Sequence, residues 1–135
     1  TPGARELIRD LRSSGARVAI LSGGLDVIRE SALPDLVVDA EHINRALFNE
    51  DGSIAGGTPT PYDGVRKGDG VRHLARDLGV ELARVAFVGD GPNDISAAQA
   101  AGFSVAWGPA DPGLIQASTV AIQENTMDVL RPLLL

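Results

Sequence analysis

Short, continuous apolar runs alternate along this chain with segments whose apolar residues recur at helical spacing. Arg17 to Leu21 (RVAIL) and Arg84 to Val88 (RVAFV) are runs of the kind found in strands that are buried on both faces. This alternation predicts an α/β fold, in which a mostly parallel sheet is covered by helices on both faces. Strands are predicted at residues 17–21, 35–39, 84–88, 103–106 and 119–122, helices at 25–33, 68–78, 92–101 and 126–135, and a helical turn at 111–116.

Turn-forming residues indicate two further features. Thr1-Pro2-Gly3 has the form of a helix start, with the Thr hydroxyl as N-cap and Pro in the first turn, and Gly15 is the expected end of that helix. Asp51-Gly52 lies between two stretches, residues 45–49 and 53–57, and predicts a β-hairpin. We therefore expect one small hairpin in addition to the parallel sheet.

Composition narrows the functional classes. The 135 residues are 44% hydrophobic and 22% charged, as in a globular protein, and we expect a single domain over residues 1–135. Eighteen acidic residues against 12 Lys and Arg give a net charge of −6, which provides no basic patch for nucleic acid or an anionic membrane. Cysteine is absent, which excludes disulfides and thiolate chemistry and fits a cytoplasmic location. No apolar run reaches the roughly 20 residues that span a bilayer.

Polar, glycine-containing turns follow two of the predicted strands, at the edge where an open α/β sheet binds ligands. After RVAIL, Ser22-Gly23-Gly24 offers a hydroxyl and backbone N–H groups to an anion. The alternative is an N-cap serine with turn glycines. After RVAFV, Gly89-Asp90-Gly91-Pro92-Asn93-Asp94 offers oxygen ligands suited to Mg²⁺. The alternative is a turn in which Asp and Asn side chains only cap the local backbone. That alternative explains the acid at the helix start, but not Asp90, which follows a buried strand.

Lys67 lies at the start of a predicted helix, where the helix dipole disfavours a cation. Its ammonium group is suited to neutralising phosphate charge. Arg66 beside it is interpreted as a solvated residue. His42 and His73 have no partner motif, and no role is assigned to them.

In their order and spacing, these features resemble the haloacid dehalogenase superfamily, and more closely its phosphoserine phosphatase-like branch. The resemblance rests on residues 18–24 (VAILSGG), 67–70 (KGDG) and 88–94 (VGDGPND), with support from the hairpin at 44–56. It covers essentially the whole chain and implies a three-layer, Rossmann-like core. It also implies a Mg²⁺-dependent phosphatase that acts on a small phosphorylated metabolite through an aspartyl-phosphate, with phosphoserine as the leading candidate.

The family's motifs imply a role for each matching residue. Lys67 and Asp94 would act in catalysis: Lys67 would neutralise phosphate charge and hold the nucleophile, and Asp94 would orient Lys67 or a metal-bound water. Asp90 would bind Mg²⁺. The substrate-binding residues would be Ser22, Gly23, Lys67 and Asn93.

One part of the family pattern is absent from residues 1–135. The family's nucleophile is the first Asp of an Asp-x-Asp motif on its first strand, and this sequence contains no such motif. Asp39-Ala40-Glu41 is rejected, because it follows the Ser22 turn and lacks the Gly-Thr that comes next in the family. In the family, that strand lies in the middle of the sheet. We therefore expect residues 1–135 to form the C-terminal part of the family core, without the cap, and the strands RVAIL and RVAFV each to expose an apolar edge.

Three ways to cover these edges are considered: a companion N-terminal segment, a homodimer, or direct pairing of the two halves. Because the nucleophile is absent, the chain alone is expected to be inactive. The alternative to a phosphatase is an inactive fragment or a regulatory module that binds phosphate or Mg²⁺. A P-type ATPase phosphorylation domain, which shares the Asp90 motif, is disfavoured by the short path from Ser22 to Lys67 and by the absence of membrane spans.

Overall fold

The strands of the protein form two separate three-stranded sheets in a computed structural model that describes residues 1–135. In the first sheet, β1 pairs in parallel with β2, which then pairs in antiparallel with β3. In the second sheet, β4, β5 and β6 are all parallel. The predicted α/β class and mostly parallel strands are confirmed. The strands are β1 (Ala19–Leu25), β2 (Ala40–Phe48), β3 (Ile54–Thr58), β4 (Ala86–Gly89), β5 (Phe103–Trp107) and β6 (Val120–Ile122).

The helices lie close to their predicted positions, but the start of the first one differs. Gly3, and not Thr1, is the N-cap of α1, with φ +78° and no side-chain hydrogen bond. A Cβ atom at Gly3 would lie 2.9 Å from Cγ of Asp128, so a tertiary contact sets this end of the helix. None of the helices is long and apolar enough to cross a bilayer. They are α1 (Ala4–Ser13), α2 (Asp26–Ala32), α3 (Lys67–Asp77), α4 (Ile95–Ala100), α5 (Pro112–Ala117) and α6 (Arg131–Leu134).

The strand predicted at residues 35–39 is wrong, because these residues form turns and irregular chain before β2 begins at Ala40. The carboxylate of Asp39 accepts hydrogen bonds from Val18 N–H (2.9 Å) and from the Arg17 guanidinium (3.0 Å). These contacts hold the connection beside the start of β1. The predicted hairpin is confirmed, and its turn contains Gly52 at φ +81°.

Helices cover both faces of the second sheet. Val105 on β5 packs against Leu7 of α1 and Leu130, while the adjacent Ala106 packs against Ala98 of α4 and Leu114 of α5. Successive residues of a strand point to opposite faces, so these two contacts lie on opposite sides of the sheet. The result is the predicted layering of helix, sheet and helix.

An apolar groove of about 640 Å³ separates β1 from β4. Ile20 on β1 and Val88 on β4 line it from opposite sides, and Val71 and Leu74 of α3 also line it. The edge of each strand that faces the groove has no partner strand, because β1 pairs only with β2 and β4 only with β5. The expected lack of a central strand is therefore observed, and the two halves do not pair directly.

Candidate active site

A buried ion pair joins α3 to the turn that follows β4. Lys67 Nζ lies 2.5 Å from Asp94 Oδ1, and the two side chains are 8% and 5% exposed. Groups of opposite charge at this distance and burial interact far more strongly than a surface pair does. Both residues were predicted to act in catalysis, and the structure brings them together.

Asp94 also organises the turn in which it lies. Its Oδ2 accepts hydrogen bonds from the backbone N–H groups of Asp90 (2.9 Å) and Gly91 (3.0 Å). A Cβ atom at Gly89 would lie 2.5 Å from this oxygen, so the carboxylate needs a glycine there. Both oxygens of Asp94 are therefore occupied by donors from this chain. The residue fixes Lys67 on one side and the backbone beside Asp90 on the other.

The two glycines that follow Lys67 let α3 approach its neighbours closely. A Cβ atom at Gly68 would lie 2.5 Å from the backbone oxygen of Ser96 on α4, and Gly68 N–H donates to Ser96 Oγ at 3.0 Å. A Cβ atom at Gly70 would lie 2.9 Å from Cδ1 of Leu21. The glycines of the sequence KGDG thus let α3 pack against both α4 and β1, and this packing brings Lys67 to the turn after β4.

The segment that contains Ser22 and Gly23 lies at the carboxyl end of β1. Ser22 Oγ accepts a hydrogen bond from Gly24 N–H at 3.0 Å. The N-cap alternative for this serine is wrong, because β1 continues to Leu25, which is itself the N-cap of α2 and has no side-chain capping bond. The Ser22 hydroxyl belongs to a glycine-rich strand end.

Asn44, which the sequence analysis did not select, holds this strand end in place. Its Nδ2 donates to Gly23 O at 2.8 Å, and its Oδ1 accepts from Thr60 N–H at 2.7 Å. The side chain therefore links β2 to both the strand end and the loop before α3. A polar residue inside a predicted hairpin was the available signal in the sequence.

Asp63 is a second residue at this strand end that was not among the predicted site residues. A Cβ atom at Gly23 would lie 2.5 Å from both oxygens of the Asp63 carboxylate. Its Oδ1 accepts Gly64 N–H at 2.7 Å. An acidic group thus lies directly against the predicted phosphate-binding strand end, four residues before Lys67. The Asp-Gly pair indicated a turn, but nothing local indicated the contact with β1.

Asp90, the predicted metal ligand, is exposed at the end of β4, and its carboxylate forms no hydrogen bond within the chain. Its backbone oxygen accepts Asp111 N–H at 2.9 Å, which ties this turn to the start of α5. Asn93 is half-buried in the same turn. No three His, Cys, Asp or Glu side chains are grouped closely enough to hold a metal ion together. Asp90 fits one carboxylate ligand of Mg²⁺, an ion that commonly completes its shell with phosphate and water oxygens.

These contacts place the predicted residues at the edge where β1 and β4 end. The chain matches the sequence profile of the haloacid dehalogenase-like hydrolases over residues 1–102, and it belongs to that family. Its similarity to phosphoserine phosphatases places it in the phosphoserine phosphatase-like branch of that family.

Relatives and solved structures support this placement. The chain is 34% identical over 135 residues to the phosphoserine phosphatase of Streptomyces coelicolor, covering 99% of this chain but 32% of that protein. A substrate-bound phosphoserine phosphatase complex superposes with a TM-score of 0.86 and 29% identity over 98% of this chain and 63% of that one. A phospho-aspartyl intermediate analogue of phosphoserine phosphatase superposes with a TM-score of 0.80 and 29% identity, with the same coverage of both chains. The chain thus spans less than two thirds of each.

Proposed function

We propose that residues 1–135 are the phosphate-binding part of a Mg²⁺-dependent phosphomonoester hydrolase that acts on a small phosphorylated metabolite, with phosphoserine as the first candidate. The observation that carries this proposal is the buried ion pair between Lys67 and Asp94. Asp94 lies in the same turn as Asp90, whose carboxylate forms no hydrogen bond within the chain. A cation held by its counterion, next to an unpaired carboxylate, suits a phosphate and a divalent cation bound together. The names of the relatives support phosphoserine.

Each residue of the site has a task in this proposal. Ser22 Oγ and Gly23 N–H bind phosphoryl oxygens at the end of β1, and Asn93 contacts the substrate from the turn after β4. Lys67 neutralises phosphate charge, and Asp94 keeps Lys67 in position through the 2.5 Å contact. Positioning and charge stabilisation account for most of catalysis in phosphoryl transfer, so a rigid arrangement of these groups favours the reaction.

Asp90 is the residue that would hold Mg²⁺. It suits this task because its carboxylate is exposed and unpaired, whereas both oxygens of Asp94 already accept hydrogen bonds or an ion pair within the chain. The cation would supply charge neutralisation and polarisation of the phosphoryl group. Phosphate oxygens, water and a further carboxylate would complete its coordination.

The nucleophile belongs, in this proposal, to an apolar strand that occupies the groove between β1 and β4. Both strands have an unpaired edge there, and the lining includes Ile20 and Val88. A parallel strand in this position would end at the same edge of the sheet as Ser22 and Asp90. The strand would come from a companion N-terminal segment, because residues 1–135 contain no Asp-x-Asp motif and a second copy could only cover the exposed edges.

The reaction would then proceed in two displacements. The strand's carboxylate attacks phosphorus, and the bond from phosphorus to the substrate oxygen breaks while that oxygen gains a proton from a neighbouring acid. Water then attacks the aspartyl-phosphate and gives a proton to the group that acted as the acid, so the bond from phosphorus to the carboxylate breaks, inorganic phosphate is released, and both the acid and the carboxylate are restored. The solved phospho-aspartyl intermediate analogue of a related phosphatase supports this route.

Phosphate release from phosphoserine, with Mg²⁺ and the companion segment present, tests the proposal. Asp90→Asn is expected to lower turnover by about a hundredfold or more, because it removes an anionic ligand for the cation. Asp35→Asn is the matched control: Asp35 is not one of the site residues, its side chain is 86% exposed and its ion pair is with Arg5, so activity should not change. Residues 1–135 without a companion segment should release no phosphate.

Three outcomes would contradict parts of this proposal. Unchanged turnover in Asp90→Asn would refute the metal assignment. Hydrolysis by residues 1–135 alone would refute the proposed source of the nucleophile. Saturable binding of phosphate and Mg²⁺ without hydrolysis, even with the companion segment, would instead support the regulatory module considered in the sequence analysis.

A further inference from the structure

A second pocket, of about 350 Å³, lies on the outer face of α3 and is distinct from the site that contains Lys67. None of the proposed catalytic, metal-binding or substrate-binding residues lines it. Its volume lies within the range of small-molecule sites. The pocket is lined by Tyr62, Arg66, Asp69, Arg72, His73 and Arg76.

Positive charge is concentrated in this pocket, although the chain as a whole carries −6. Three of its 12 Lys and Arg residues line the pocket, whereas one carboxylate, that of Asp69, lines it and a second, that of Asp77, lies beside Arg76. The Asp69 carboxylate lies between two guanidiniums, 3.7 Å from Arg66 Nε and 3.3 Å from Arg72 Nη1. Each guanidinium has five N–H donors, so most donors remain available to a ligand.

A neighbouring carboxylate and an imidazole hold the third guanidinium. Arg76 Nη2 donates to His73 Nδ1 at 2.9 Å and contacts Asp77 Oδ1 at 3.3 Å. Because arginine cannot accept a hydrogen bond, His73 Nδ1 carries the lone pair. His73 Nε2 then donates to Asp77 Oδ2 at 2.9 Å. These contacts orient Arg76 and His73 relative to each other at one end of the pocket.

Aromatic rings pack edge-on or tilted against Tyr62 and support its side of the pocket. The Tyr62 ring lies 5.4 Å from the His73 ring and 4.9 Å from the His42 ring, measured between centroids. His42 lies on β2, so this contact connects the pocket wall to the first sheet. The wall therefore combines ring surfaces with guanidinium donors.

We propose that this pocket binds the phosphoryl group of a small phosphorylated ligand, at a site separate from Lys67. Guanidinium groups match phosphate oxygens with paired, parallel hydrogen bonds, and several around one pocket suit a dianion. The rings of Tyr62 and His73 provide a surface for the rest of the ligand. This inference does not depend on the proposed hydrolase activity.

Inorganic phosphate, titrated into the ¹⁵N-labelled protein and followed by NMR, tests the proposal. We expect saturable shifts at the amides of Arg72, His73 and Arg76. Any binding at the candidate active site would be followed separately at Gly23 and Gly91. The double variant Arg72→Gln/Arg76→Gln should weaken phosphate binding at α3 by about tenfold or more, because hydrogen bonds to two charged groups are lost.

Matched variants separate specific binding from general charge effects. Arg84→Gln removes an exposed guanidinium outside the pocket and should leave the affinity unchanged. Asp69→Asn removes the carboxylate that competes for Arg66 and Arg72, so it should tighten binding. All of these changes are at exposed positions, and the dispersion of the NMR spectrum verifies the fold.

The proposal is overturned by any of four results. These are no saturable shift at the α3 amides, shifts confined to Gly23 and Gly91, the same shifts with sodium chloride at equal ionic strength, or equal affinity in the double variant and the wild type. The Gly23 and Gly91 shifts report on the proposed function separately, so the two proposals can fail independently.

Discussion

Replacing Lys67 by methionine tests whether the buried ion pair holds the candidate site together. Methionine keeps the length of the side chain but removes the charge and the donors. Asp94 Oδ1, which lies 2.5 Å from Nζ in the native protein, would then be buried without a partner. Oδ2 would keep its bonds to the N–H groups of Asp90 and Gly91. The change therefore isolates the lysine's contribution.

Breaking a buried ion pair at one partner costs about 3–5 kcal/mol. Since Asp94 keeps two backbone donors, we expect the lower end of that range, about 3 kcal/mol. With a urea dependence of about 2 kcal/mol per molar, the unfolding midpoint should fall by about 1.5 M. Urea unfolding can be followed by the fluorescence of Trp107, the only tryptophan, which packs against the core cluster around Val105.

Two comparisons make this prediction refutable. Arg72→Met on the same helix breaks an ion pair whose side chains are more than half exposed, and should cost at most about 1 kcal/mol. The double variant Lys67→Met/Asp94→Asn should be less destabilised than the sum of its single variants, because the unpaired charge is gone. A cost for Lys67→Met as small as that for Arg72→Met would refute the structural role of the buried pair.

Three further changes have defined outcomes. Burial, and secondarily the charge of nearby His73, lowers the pKa of His42 below 6.5, so the folded state disfavours protonation of this side chain. The free energy of unfolding should therefore fall as pH drops below 6.5, and His42→Phe should reduce this pH dependence in urea unfolding measured between pH 7 and 5. Gly68→Ala should cost about 1–3 kcal/mol in the same assay, because its Cβ would lie 2.5 Å from the backbone oxygen of Ser96. Hydrogen bonds from the Val18 N–H and the Arg17 side chain lower the pKa of Asp39 below 3.8. The stability that these bonds provide is present above pH 3.8 and is lost as pH falls through the lowered pKa, so Asp39→Asn should reduce the loss of stability in acid.

Most of the fold could be predicted from the sequence, because most segments adopt in the structure the helix, strand or turn that their local residue pattern favours. The α3 helix and the hairpin around Gly52 have strong periodicity or turn chemistry, and the structure confirms both. The strand predicted at 35–39 failed because an apolar run alone does not identify a pairing partner. There, the side chain of Asp39 bonds to Val18, and this non-local contact decides the local structure.

The residues of the candidate site that belong to short sequence motifs could be predicted, and the others could not. Lys67 and Asp94 are 27 residues apart, yet their motifs indicated a shared site, and the structure brings them together. Asn44 and Asp63 were missed because their roles come from contacts with residues distant in sequence: both contact Gly23, and Asn44 also accepts a hydrogen bond from Thr60 N–H. A polar residue in a hairpin and an Asp-Gly turn are too common to indicate such contacts.

The hydrogen bonds around the candidate site explain how it stays in place although the strand between β1 and β4 is absent. On one side of the groove, Asp94 ties Lys67 to the turn after β4; on the other, Asn44 ties Gly23 to β2. Neither arrangement includes a hydrogen bond between β1 and β4, because Lys67 reaches Asp94 from α3 and Asn44 reaches Gly23 from β2. The helix α3 joins the halves, since Gly68 packs on α4 and Gly70 on β1. The positions of the groups proposed to bind phosphate are therefore set by α3 and by local hydrogen bonds, while the apolar edges of β1 and β4 remain open to a strand.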